Sequence, residues 1–114
     1  AVSQSPAVVT LNEGDNAQLN CNYTATSTSS PGLIWYRQYP GGSLEVLLLR
    51  TTYKGGEKNN AGERFSAELN HLKGTVPLTV SQTRLRDSAM YYCALTLSGG
   101  LGIVFGKGTK LLVI

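Results

Sequence analysis

Ala17-Gln18-Leu19-Asn20-Cys21-Asn22-Tyr23 alternates strictly, with the apolar residues at odd positions. A two-residue period puts one set of side chains in a core and the other in water. The segment therefore predicts a half-buried strand with Leu19 and Cys21 facing inward. Related patterns recur. Leu33-Ile34-Trp35-Tyr36-Arg37-Gln38 predicts a second strand, and 44–52 an apolar third with Glu45 and Arg50 near its ends. In 64–69, Phe65, Ala67 and Leu69 share a face, and in the next strand Val76, Leu78 and Val80 do. Pro77 lacks an N–H, which predicts a bulge or a missing ladder bond there. Segments 89–95 and 103–114 complete the set.

Turn chemistry separates these runs. Residues 24–32 are rich in Ser, Thr, Pro and Gly, Pro40-Gly41-Gly42 reads as a turn, and 53–63 is polar and Gly-rich. Asn70-His71-Leu72-Lys73-Gly74 is a further turn, and 82–88 a connection. No stretch combines a helical period with caps. About eight short strands spaced by turns predict an all-β sandwich.

The chain of 114 residues fits one domain, 1–114, with neither linker nor repeat. At this size roughly two-thirds of the unfolded surface can be buried, which supports a modest core. The net charge of +3 comes from basic residues scattered from Arg37 to Lys110. Nucleic-acid binding needs a clustered patch, so that class is excluded. No apolar run approaches the roughly 18 residues of a membrane span. The N-terminus lacks the charged and apolar regions of a signal peptide. The expectation is a mature domain, with any signal, stalk or membrane anchor outside it.

Chemistry is sparse. Gly106-Lys107 fails a phosphate loop twice: Leu101 stands where a glycine is needed, and Gly108 follows the lysine. His71 has no cysteine, carboxylate or second histidine at ligand spacing, and no Ser/His/Asp set or carboxylate pair stands out. The reading is a non-enzyme with no catalytic residue, cofactor or metal. Cys21 and Cys93 are much too far apart for a redox or zinc pair, which leaves a disulfide or two buried thiols. Asn22-Tyr23-Thr24 is a glycosylation sequon.

Cys21, Trp35 and Cys93 belong with two motifs, Asp87-Ser88-Ala89-Met90-Tyr91-Tyr92-Cys93 and Phe105-Gly106-Lys107-Gly108. With these the whole chain resembles a variable-type immunoglobulin domain of an antigen receptor. It is most similar to T-cell receptor alpha chains, through Trp35-Tyr36-Arg37-Gln38-Tyr39-Pro40-Gly41, Ala94-Leu95 after Cys93, and the joining-type ending 105–114. Arg64-Phe65-Ser66-Ala67-Glu68-Leu69-Asn70 is more similar to bony-fish alpha chains than to mammalian ones. The resemblance implies a variable segment over about 1–95, a junction over about 96–102 and a joining segment over about 103–114. It implies two antiparallel sheets joined by a Cys21–Cys93 disulfide, with Trp35 packed on it, Leu19 and Leu78 in the core, and Tyr91 as a tyrosine corner. A loop this long, closed covalently, would stabilise the fold by roughly 4 kcal/mol. The bond needs an oxidising compartment, hence an ectodomain on the outer side of the plasma membrane. An Arg64–Asp87 ion pair is implied as well.

Two surfaces follow. Alternate connections of such a sandwich share an end, so three loops cluster there. They carry Thr26, Ser27, Thr28, Ser29, Ser30 and Pro31; Arg50, Thr51, Thr52 and Tyr53; and Thr96, Leu97, Ser98, Gly99, Gly100 and Leu101. Small polar residues with Tyr and Arg anchors suit recognition. The second surface is outward-facing. Since Trp35 points inward, Tyr36 and Gln38 point outward, and Tyr92 faces away from Cys93. The resemblance adds Leu44, where many relatives carry proline, and Phe105 as contacts to a second variable domain. It implies pairing with a beta-type domain and binding of peptide presented by an MHC molecule. The first two loops then lie over the presenting molecule and the third over the peptide. Three other readings share the frame: a non-rearranging innate receptor such as a fish novel immune-type receptor, a delta chain paired with gamma, and a self-associating V-set adhesion domain.

Overall fold

Strict alternation becomes strict alternation of burial. In β3 (Ala17–Tyr23) every odd residue is buried and every even one exposed. The computed structural model describes residues 2–24, 31–52, 57–96 and 102–114. Within them, strands precede and follow β3: β1 (Val2–Ser5), β2 (Val8–Leu11), β4 (Gly32–Gln38), β5 (Glu45–Thr51), β6 (Lys58–Asn59), β7 (Phe65–Ala67), β8 (Leu78–Val80), β9 (Ala89–Thr96), β10 (Ile103–Phe105) and β11 (Thr109–Val113). They form two sheets. One runs β1-β3-β8-β7; the other runs β2-β11-β9-β4-β5-β6, with β10 also on β9. The first strands split between the sheets: β1 pairs antiparallel with β3, and β2 parallel with β11. This is the V-type sandwich expected from the sequence.

The core fills the space between the sheets. Leu19, Leu33, Trp35, Leu48, Leu78 and Tyr91 are fully buried. Burying each leucine stabilises the fold by roughly 1.5–3 kcal/mol. The Cys21–Cys93 disulfide ties β3 of one sheet to β9 of the other. The two large polar aromatics are satisfied as burial demands. Trp35 Nε1 donates to the Val76 carbonyl (3.0 Å) and the Tyr91 hydroxyl to the Asp87 carbonyl (2.6 Å). Burial also pushes the Tyr91 phenol well above its ordinary pKa.

Below the core Arg64 grips Asp87 with both ends of its guanidinium, Nη1 to Oδ2 at 2.8 Å and Nη2 to Oδ1 at 2.9 Å. The carboxylate side chain is 1% exposed and also accepts from the Arg84 N–H at 2.8 Å. Burial alone would raise its pKa. The Arg64 bonds, the Arg84 N–H and the charges of Arg64 and Arg37 outweigh that and hold it below the ordinary value.

Local departures from the sequence reading have physical causes. Segment 103–114 is two strands rather than one, parted by Gly106-Lys107-Gly108. Gly108 has φ +94°, and a Cβ there would stand 2.7 Å from Tyr92 Cε1, so only glycine fits. The Pro77 disruption stays local: β8 starts at Leu78, while the Val76 N–H still reaches the Cys21 carbonyl at 3.0 Å. The connection 82–88 contains a single 3-10 turn, Leu85–Asp87.

Candidate binding surfaces

The stems of the three expected loops converge at Gly32. It opens β4 opposite Thr51, the last residue of β5, and next to the Leu33–Leu95 pair. Its N–H donates to Thr96 Oγ1 (2.9 Å), and the same hydroxyl donates back to the Gly32 carbonyl (3.2 Å). A Cβ on Gly32 would lie 3.0 Å from that oxygen. The sequence reading left Gly32 in a loop; the lock it forms with Thr96 shows only in tertiary structure.

Three residues expected at the recognition surface are also built into the frame. Arg50 is a brace. Its Nε donates to the Ala67 carbonyl of β7 (2.9 Å), and Nη1 to the Leu49 and Lys58 carbonyls (both 3.1 Å), clasping the edges of both sheets. A planar guanidinium with several fixed donors suits that role. Thr51 is buried, and Thr96 is spent on Gly32. Pro31 is also buried and Thr52 exposed. Thr26, Ser27, Thr28, Ser29, Ser30, Tyr53, Leu97, Ser98, Gly99, Gly100 and Leu101 lie outside the described residues. A fourth segment shares this end. The turn after Asn70 is pinned by the Tyr23 N–H to the Gly74 carbonyl (2.8 Å) and by a Tyr23 hydroxyl–His71 Nδ1 contact (2.9 Å). Its tip, Leu72, is 99% exposed.

Behind the third loop, Gln4 replaces missing ladder bonds. Its Oε1 accepts from the Cys93 N–H (3.1 Å) and the Gly108 N–H (2.9 Å), and Nε2 donates to the Tyr91 carbonyl (3.0 Å). The amide thus spans β9 and the start of β11 where the glycine segment breaks their pairing. A Cβ on Gly106 would collide with it.

The outward face of the larger sheet is apolar. Tyr36, Gln38 and Tyr92 are half-buried, while Leu44 and Phe105 are exposed, at 43% and 41%. The Tyr36 and Phe105 rings pack at 5.5 Å between centroids. A hollow of about 200 Å³ lies among Gln38, Leu44, Tyr92, Phe105 and Gly106. Gln38 Nε2 is anchored on the Gly42 carbonyl at 2.9 Å. Val46 (45%) and Ile103 (40%) add to the exposed hydrophobics and were not anticipated. Exposed apolar groups gathered on one face mark an interaction site. Among the described residues no group of three or more His, Cys, Asp and Glu is placed to hold a metal ion.

Two sheets, a disulfide between them, a tyrosine corner and three loop stems at one end define a V-type immunoglobulin domain. Comparison with known proteins agrees: residues 4–114 match the immunoglobulin V-set domain. The chain is 35% identical over 114 residues to the T-cell receptor alpha chain V region PHDS58 of Mus musculus, covering 100% of this chain and 84% of that protein. It is 37% identical over 114 residues to the T-cell receptor alpha chain V region RL-5 of Oryctolagus cuniculus, covering 99% and 81%. Against T cell receptor alpha variable 38-2/delta variable 8 of Homo sapiens it is 32% identical over 93 residues, covering 82% and 78%. The chain belongs to the V-set immunoglobulin domains, among the T-cell receptor alpha variable regions. It is a T-cell-receptor V-type domain of a cell-surface receptor family, made for antigen recognition.

Proposed function

We propose that this domain pairs with a beta-type variable domain and that the pair binds peptide presented by an MHC molecule. The observation that carries the reading is the apolar outward face, with Tyr36, Gln38, Leu44, Tyr92 and Phe105, set beside loop stems that meet at one end. The face supplies the pairing surface, and Val46 and Ile103 extend it. The loops supply shape and hydrogen bonding without turnover. Thr52 and the segments 26–30, 53 and 97–101 contact the ligand, and Arg50, Thr51 and Thr96 hold the stems beneath them. An unpaired exposed face of this kind buries favourably at roughly 25 cal/mol per Å² of apolar area.

One relative bears both an alpha and a delta variable name, which favours a second reading, a delta chain paired with a gamma-type domain. Co-expression with beta-type and gamma-type variable domains, followed by analytical ultracentrifugation, distinguishes them. Beta pairing is expected. Gln38→Glu combined with Tyr92→Ala should weaken it at least tenfold while the isolated domain keeps its melting temperature. Unchanged association would remove this face from the interface. Self-association with neither partner type would favour an adhesion domain.

A further inference from the structure

We propose that Asn22 carries an N-linked glycan that covers the outward face of the β1-β3-β8-β7 sheet. The acceptor motif Asn22-Tyr23-Thr24 ends β3. Glycosylation needs a side-chain amide that stays accessible in the folded product. Asn22 and Thr24 are both exposed, and the Asn22 amide has no hydrogen-bond partner among the described residues. The position therefore tolerates a bulky substituent without breaking an internal contact. A hollow of about 140 Å³ lined by Ser3, Asn22, Tyr23 and Thr24 lies at the attachment point.

The composition of the sheet points the same way. No strand of it contains a charged residue: the four read VSQS, AQLNCNY, FSA and LTV. Its outward side shows Ser3, Ser5, Gln18, Asn20, Asn22 and Ser66. The edge strand β1 has no lysine or acid of its own. Sheet edges and faces without charge invite association with another chain. A hydrated oligosaccharide one strand in from that edge supplies the missing protection. It also projects from the sheet opposite the Tyr36–Tyr92–Phe105 face, so it leaves that face clear.

The chemistry balances without redox change. The Asn22 amide nitrogen bonds to the anomeric carbon of an oligosaccharide donated from a polyprenyl pyrophosphate. The carbon–oxygen bond to the pyrophosphate breaks, and the lipid pyrophosphate leaves with the electron pair. The displaced amide proton passes to a base of the transferase. The Cys21–Cys93 disulfide needs an oxidising compartment, and the eukaryotic secretory route provides both the oxidant and the transferase.

The test is secretion of the chain from eukaryotic cells, then mass spectrometry of the peptide containing residue 22 before and after peptide-N-glycosidase. A glycopeptide released as the deamidated peptide is expected. Thr24→Ala should abolish the modification, and Thr24→Ser should keep it. Asn22→Gln should leave the melting temperature unchanged and raise self-association severalfold by light scattering. A secreted, oxidised chain with bare Asn22 overturns the site. A modified chain whose Asn22→Gln variant stays equally monomeric overturns the shielding role.

Discussion

Gln4→Ala is the substitution that tests the frame most directly. The side chain satisfies three backbone groups, the N–H of Cys93, the N–H of Gly108 and the carbonyl of Tyr91. Cys93 and Tyr91 are 0% exposed, so neither group can turn to bulk water. A buried donor left bare costs about 1–3 kcal/mol. Gly108 is half-buried and recovers part of its loss from solvent, which leaves about 0.5–1 kcal/mol there. Taken at the middle of the first range, the two donors alone give an expected destabilisation of about 2–3 kcal/mol. For a domain of this size that lowers the melting temperature by about 8–12 °C. Gln4→Met separates the causes: it keeps the length and packing of the side chain without the amide, and it should lose nearly as much as alanine. Denaturant unfolding gives the free energy, and amide exchange should quicken at Cys93 and Gly108. A Gln4→Ala variant melting within about 2 °C of the parent, or a Gln4→Met variant of wild-type stability, would refute the reasoning.

Arg64→Ala should cost about 3 kcal/mol at neutral pH, because it strands a buried carboxylate. The lowered pKa of Asp87 fixes the sign of the pH dependence. The stability it contributes is complete above the ordinary carboxylate value of about 3.9 and drains as pH falls through the lowered folded value. Unfolding curves of variant and parent should therefore converge as pH falls through that lowered value, and curves that stay parallel would show the pair to be idle. Gly32→Ala should cost about 1 kcal/mol, since the new Cβ at 3.0 Å displaces the Thr96 hydroxyl from both of its bonds. Denaturant titration checks this, and Gly32→Ala combined with Thr96→Ala should cost less than the sum of the single changes.

The strands with one wet and one dry face were legible, because their burial follows the period that side-chain alternation imposes. β3 is the clearest case, and the outward turn of Tyr36, Gln38 and Tyr92 follows from it. Alternation failed where the ladder shifts. The register slips between Trp35 and Tyr36, so Leu47 and Leu48 are buried in succession and Val46 joins the exposed face. β1 and β2 escaped notice because each is a four-residue strand and they pair in different sheets. Gln4 left no local trace, since its partners lie at the far end of the chain. The bracing role of Arg50 left no local trace for a related reason. A charge near a loop looks like an anchor until the Ala67 and Lys58 carbonyls come within reach of it.

The same geometry explains how a demanding frame tolerates an arbitrary insert. β9 and β10 pair antiparallel through Thr96–Ile103, Val104–Leu95 and Phe105–Ala94. The third loop is therefore the tip of a hairpin whose ladder closes before the loop begins. Thr96 is held from the side by Gly32, and the strands behind it by Gln4. Changing the residues at the tip disturbs none of these bonds. Lengthening the tip adds only loop-closure entropy, about 0.6 kcal/mol for each doubling. The Gln4 bracket alone is worth several times that, about 2–3 kcal/mol. Stability therefore resides in the stems, which leaves the loop free to carry the recognition role proposed for it.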